Sequence, residues 1–127
     1  MGRPITSDVK RAETMALNTQ VNKEVFKAFR DYLAYYAYPM NVMLETFMRQ
    51  YTNEKFHLSE DDILKWKGGY YETEALNTTF NKEIYLNFKY KCKRDGYFVK
   101  HVITAFMEKL ASGDYVLEYV ETNDRLK

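Results

Sequence analysis

Apolar and polar side chains alternate in two short segments of the chain. In the first segment Leu17, Thr19 and Val21 are separated by smaller or polar residues, and residues 74–80 repeat this alternation. A period of two residues is typical of a β-strand with one buried face. The pattern therefore predicts two short strands, each with a polar face turned away from the core.

Helical spacing follows each predicted strand. Asn22 and Asn81 are each followed by Lys-Glu and by a change of period, which predicts that both asparagines cap the start of a helix. Apolar residues then recur three and four positions apart through two consecutive helices in each segment. Pro39 and Gly96 separate the first helix from the second, and Gly113 ends the last one.

The two segments are copies of one another. A shift of 59 residues superimposes residues 15–29 on 74–88, and the register holds without a gap from Glu13/Glu72 to Met48/Met107. Identical pairs include Ala16/Ala75, Leu17/Leu76, Asn18/Asn77, Thr19/Thr78, Asn22/Asn81 and Lys23/Lys82. A strand with two open edges and two short helices cannot cover their own apolar surfaces. We therefore expect the two strands to pair antiparallel, with four helices packed behind them.

This combination of a short strand, a helix that begins at Asn-Lys-Glu and a second amphipathic helix resembles the ribbon-helix-helix (Arc/MetJ-type) DNA-binding family. The resemblance covers about residues 14–52 and 73–111. It implies a mainly α-helical fold with a short antiparallel β-ribbon, in which two repeats form one pseudo-two-fold domain. The predicted organisation is a basic flexible arm (1–12), repeat 1 (13–52), a linker with a short helix (53–72), repeat 2 (73–111) and an acidic tail (112–127) with a further strand near residues 115–120.

The resemblance implies that the ribbon lies in the major groove of double-stranded DNA and reads bases with the outward residues of each strand. By alignment, these are Ala16, Asn18, Gln20, Ala75, Asn77 and Thr79. Asparagine and glutamine suit adenine, whereas threonine and alanine suit the methyl group of thymine. The sequence departs from the family in having no Arg or Lys on the ribbon, which leaves guanine without its usual partner.

The resemblance also implies phosphate contacts at the start of the second helix of each repeat and along the arm. The matching residues are Asn41, Lys100, His101, Arg3, Lys10 and Arg11. Pro39 and Phe98 stand where the family has a small capping hydroxyl. The ribbon is unequal, with Ala-Asn-Gln on one strand and Ala-Asn-Thr on the other, so the expected target is an imperfect palindrome. Many Tyr, Lys and Asn residues with only two prolines suggest an A/T-rich plasmid or virus and an A/T-containing site.

Composition and charge narrow the class of protein. The net charge is only +1, but residues 75–110 hold seven bases against three acids, while residues 52–74 hold three bases against six acids. The polar N-terminus and the lack of a long apolar run predict neither a signal peptide nor a membrane span. The single cysteine, Cys92, excludes an internal disulfide and suits a cytoplasmic protein.

No catalytic chemistry is expected, and neither a metal, a cofactor nor a small-molecule substrate is predicted. His57 and His101 lie far apart in sequence with no acid or cysteine at ligand spacing, and there is no glycine-rich phosphate loop. Cys92 aligns with Leu33 on an apolar stripe, which indicates packing rather than reactivity. The predicted function is a transcriptional regulator, most often a repressor. The alternatives are an accessory protein that binds the transfer origin of a conjugative element, and an interaction module that has lost DNA binding. The sequence leaves open whether one chain forms the ribbon or two chains swap strands, and whether the tail mediates self-association.

Overall fold

A computed structural model describes residues 13–114, which form a two-stranded antiparallel sheet and five α-helices. In chain order the elements are β1 (Thr14–Asn22), α1 (Lys23–Tyr36), α2 (Met40–Thr52), α3 (Glu60–Leu64), β2 (Thr73–Asn81), α4 (Lys82–Asp95) and α5 (Val99–Ser112). Most of the described residues are helical. The predicted combination of a mainly helical fold and a short antiparallel β-ribbon is therefore confirmed.

The ribbon pairs β1 with β2 of the same chain along the full nine residues of each strand. Burial alternates identically in the two strands, and the inward side chains include Leu17 and Val21 of β1 and Leu76 and Phe80 of β2, all at most 7 % exposed. A two-stranded ribbon is marginally stable by itself in water. Helices packed against these inward side chains therefore hold the ribbon in place.

Asparagine side chains start the helices that follow the strands. The Oδ1 atom of Asn22 accepts a hydrogen bond from the backbone N–H of Val25 at 2.9 Å, and the Oδ1 atom of Asn81 accepts one from the N–H of Ile84 at 3.0 Å. Each cap satisfies an amide that the first turn of a helix leaves without a partner, and such caps are worth about 1 kcal/mol. The predicted helix starts are confirmed.

The two first helices end on different residues in the same conformation. Gly96 follows α4 with φ +87°, as the sequence predicts, and Ala37 follows α1 with φ +60°. The left-handed region suits glycine, whereas a Cβ atom makes it costly by roughly 1–2 kcal/mol. The sequence points to Pro39 for this turn, but the residue that bears the backbone strain is Ala37.

The helices of the two halves, residues 13–52 and 73–112, pack across one another. α1 packs mainly against α5, and α2 packs mainly against α4. Phe47 of α2 and Phe106 of α5 stack at the centre with ring centroids 4.1 Å apart and planes 9° apart, and both are fully buried. Phe88 of α4 meets the edge of Phe47, and Phe29 of α1 meets the edge of Phe106. The two halves therefore share one core.

The linker contains the predicted short helix and covers one side of α5. Ser59 Oγ accepts from the N–H of Asp62 and starts α3, from which the buried Ile63 points into the core. Asp62 also pairs with Lys109 of α5 at 3.2 Å. Because α3 packs against α5, every residue of α5 from 101 to 107 is buried, including polar ones.

Candidate nucleic-acid interface

The outward face of the ribbon is a continuous surface of small and uncharged polar side chains. The six residues predicted to contact bases are all exposed on it: Ala16, Asn18, Gln20, Ala75, Asn77 and Thr79. They alternate with inward residues because successive side chains of a strand point to opposite faces of the sheet. The structure therefore brings the six predicted residues together on one accessible face.

The strand register centres this face on an asparagine pair. Asn18 lies directly opposite Asn77, and the shift of 59 residues superimposes the same two residues. On either side of this pair an alanine faces a polar residue: Ala16 faces Thr79, and Gln20 faces Ala75. The surface thus has two identical amides at its centre, a glutamine towards one end and a threonine towards the other.

Two lysines that were not predicted as contacts lie where the strands run into the first helices. Lys23 and Lys82 are the first residues of α1 and α4, with side chains 57 % and 44 % exposed. Lys23 Nζ lies 3.6 Å from a carboxylate oxygen of Glu72, and Lys82 Nζ lies 3.2 Å from one of Glu13. Exposed pairs of this kind are weak, so both cations can exchange their carboxylates for phosphate. Their identity in the two repeats was the signal in the sequence that would have found them.

The second helices begin without a side-chain cap. Pro39 precedes α2 and Phe98 precedes α5, and neither accepts a capping hydrogen bond through its side chain. Asn41 and Lys100 are exposed in these first turns, as a phosphate contact requires. Uncapped helix N-termini attract anions because their free N–H groups and the helix dipole both favour negative charge. Only Lys100 adds a charged side chain, so the two ends differ.

His101 does not join this group. The side chain is predominantly buried, with the residue only 7 % exposed, and its ring meets the edge of Phe98 at a centroid distance of 5.4 Å. Its backbone N–H already donates to the carbonyl of Phe98. Burial lowers the pKa of the imidazole, and the nearby Lys100 and Lys67 lower it further, so the neutral form is favoured. A buried neutral imidazole is poorly suited to hold phosphate, and we leave His101 out of the interface.

Several predicted features lie outside the described residues. They are the arm residues Arg3, Lys10 and Arg11 and the strand near residues 115–120. Over residues 13–114, no group of three or more His, Cys, Asp or Glu side chains is arranged to bind a metal ion. No helix in that range combines the length and apolar character needed to cross a membrane.

Cys92 lies in the core, as its alignment with Leu33 predicts. It is fully buried, and this burial raises the pKa of its thiol to about 12. The nearby cleft of about 390 Å³ is lined by charged residues that pair with each other: Lys91 Nζ lies 3.0 Å from Asp95 and 3.9 Å from Glu54. The ribbon therefore offers a cluster of uncharged hydrogen-bonding groups, whereas the charges of this cleft are already balanced.

Comparison with known proteins adds no relative: no protein-family model, no curated protein and no solved structure matches this chain. The functional interpretation therefore depends on the internal repeat, the ribbon and the side chains that it exposes.

Proposed function

We propose that this chain is a sequence-specific protein that binds double-stranded DNA by inserting its β-ribbon in the major groove, and that it acts as a transcriptional regulator, most often a repressor. The observation that carries the proposal is the outward face of the ribbon, where amide and hydroxyl side chains flank the central pair of Asn18 and Asn77. Direct readout of bases requires such groups on an element that fits the groove.

The proposal includes a pseudo-two-fold arrangement of two ribbon-helix-helix repeats. It is supported by a reciprocal pair of backbone hydrogen bonds: Lys23 N–H donates to the carbonyl of Glu72, and Lys82 N–H donates to that of Glu13, both at 2.9 Å. The shift of 59 residues exchanges one bond for the other. The register centred on the two asparagines and the crossed packing of the helices fit the same two-fold relation.

The dimensions of the ribbon suit the groove. Two paired strands lie about 4.8 Å apart in their backbones, and the major groove of B-DNA is about 12 Å wide and admits a two-stranded ribbon. The central amides of Asn18 and Asn77 are exposed, so their donor and acceptor groups are available to an adenine edge. Lys23 and Lys82 supply the sequence-independent attraction to phosphate that the uncharged ribbon lacks.

The unequal ends of the ribbon lead to the most specific feature of the proposal. Gln20 and Thr79 occupy equivalent positions, yet one carries a long amide and the other a short hydroxyl. Because these groups prefer different base edges, the two halves of the target site differ at the outer positions. The target is therefore an imperfect palindrome whose centre is more symmetric than its flanks.

A mobility-shift assay with the DNA upstream of the protein's own coding sequence tests the proposal. The wild-type protein should bind with an affinity that falls as salt rises, because phosphate contacts release counterions. Asn18→Ala/Asn77→Ala should weaken specific binding by at least tenfold, since each good base contact discriminates by roughly 1–3 kcal/mol. The matched control, Asn53→Ala/Asn87→Ala, also removes two exposed asparagines but lies on the helices and should bind normally.

Two outcomes would count against the proposal. Unchanged binding by the variant at Asn18 and Asn77 would remove the ribbon from the DNA interface. Failure of the folded wild-type protein to bind any duplex at low salt would favour the interaction module instead. Replacement of Lys82 by alanine separates the two kinds of contact: it should weaken binding to every sequence and reduce the slope of log affinity against log salt by about 1.

A further inference from the structure

The outer part of the ribbon contains a hydrogen bond that joins the two strands through their side chains. Thr73 Oγ1 donates to Gln20 Oε1 at 3.0 Å, and both residues are exposed on the outward face. Thr73 lies opposite Asn22, and Gln20 lies opposite Ala75, so the bond is diagonal between neighbouring cross-strand pairs. Side chains at diagonal positions of an antiparallel pair are within reach when one of them is long.

This bond belongs to one end of the ribbon only. The shift of 59 residues relates Thr73 to Thr14 and Gln20 to Thr79. Thr14 is exposed at the corresponding place, but Thr79 has no amide for it to hold. The hydroxyl is therefore present at both ends, whereas the amide that it can position is present at one.

The bond determines which part of the glutamine amide faces a base. Glutamine reads adenine by accepting from N6 through its amide oxygen and donating to N7 through its amide nitrogen. In Gln20 the oxygen is held by Thr73, so the nitrogen with its two N–H groups is the part presented to the groove. Guanine offers two adjacent acceptors, N7 and O6, in the major groove, whereas adenine places an amino donor at N6.

We propose that Thr73 is a positioning residue that holds Gln20 as a hydrogen-bond donor, so that this end of the ribbon reads guanine in preference to adenine. The inference rests on the proposed function of the ribbon and deepens it. It supplies a partner for guanine on a ribbon that has no Arg or Lys. Threonine suits the task because its β-branched side chain is restricted at χ1. A glutamine already held in one rotamer also loses less side-chain entropy when it binds.

Selection of binding sites from randomised duplex DNA, followed by affinity measurements on matched duplexes, tests the inference with the full-length protein. The wild type should prefer guanine over adenine at one position of one half-site. Thr73→Val keeps the shape of the side chain but removes the hydroxyl, and it should lower the guanine-to-adenine affinity ratio there by about fivefold or more. Thr73→Ser should retain the wild-type preference. Thr14→Val is the matched control and should change no preference.

A second comparison shows whether Thr73 acts through Gln20. Gln20→Ala should abolish the preference at that position, and adding Thr73→Val to it should cause no further change. An unchanged guanine-to-adenine ratio in Thr73→Val, or an equal change in Thr14→Val, would overturn the inference while leaving ribbon binding intact. If the wild type binds no DNA, or Asn18→Ala/Asn77→Ala binds normally, the proposed function and this inference both fail.

Discussion

Replacing Phe47 with alanine tests whether the two halves of the chain share one core. Phe47 is fully buried on α2 and stacks on Phe106 of α5 with ring centroids 4.1 Å apart. Phe88 of α4 and Phe56 of the linker meet its ring from the side, at 5.6 and 5.2 Å. The side chain thus joins both halves and the linker, and its removal leaves a cavity where they meet.

The expected loss is large compared with the stability of a small domain. Truncation of a buried phenylalanine to alanine costs about 3–5 kcal/mol, from lost burial and from the residual cavity. Domains of this size are stable by roughly 5–15 kcal/mol. With about 4 °C per kcal/mol for a chain of this length, Tm should fall by about 12–20 °C. Phe47→Leu keeps most of the apolar volume and should cost clearly less.

Urea denaturation followed by far-UV circular dichroism and by tyrosine fluorescence measures this loss. We expect a single transition for the wild type by both probes, with a lower midpoint and a similar slope for Phe47→Ala. Tyr35→Ala is a control on the surface, since Tyr35 is 82 % exposed, and it should change stability by no more than about 0.5 kcal/mol. A loss below about 1 kcal/mol in Phe47→Ala, or two separate wild-type transitions, would refute a shared core.

Three further predictions concern single residues. Ala37→Gly should stabilise the protein by about 0.5–1 kcal/mol in urea denaturation because it relieves a left-handed backbone, whereas Gly96→Ala at the equivalent position should destabilise it by about 1 kcal/mol; the same sign for both would contradict the strain argument. The pKa of His101 is lowered from its ordinary 6.5 by burial, so the folded protein binds fewer protons than the unfolded chain and the free energy of unfolding should fall as the pH drops below 6.5. His101→Gln should reduce that fall, and an unchanged pH dependence would show that the imidazole titrates normally in the fold. The pKa of Cys92 is raised to about 12 by burial, so a thiol reagent should label the native protein far more slowly than the urea-unfolded protein, and equal rates would contradict its burial.

Much of the fold could be predicted because the repeat gives two independent views of the same pattern. Alternation in both copies identifies the inward and outward faces of the ribbon, and Asn22 and Asn81 mark the helix starts through their local capping chemistry. These are short-range effects, which a sequence pattern records directly. The six predicted base-contact residues accordingly share the exposed face.

The features that were missed depend on tertiary contacts. Helical spacing alone does not show that α3 packs on α5, and this contact accompanies the burial of His101, whose pKa is influenced by Lys67 of the linker. The left-handed Ala37 was missed because glycine, not alanine, is the usual signal for that conformation. The bond from Thr73 to Gln20 depends on strand register, which sequence alone does not determine to the residue.

The central claim is that the outward face of the ribbon contacts DNA, and an NMR titration of the isotope-labelled protein with its upstream duplex tests it most directly. The account predicts that the side-chain amide signals of Asn18, Asn77 and Gln20 change most, together with the backbone amides of β1 and β2, and that signals from α3 remain in place. Large changes confined to the helices, with the ribbon amides unmoved at saturation, would contradict the account.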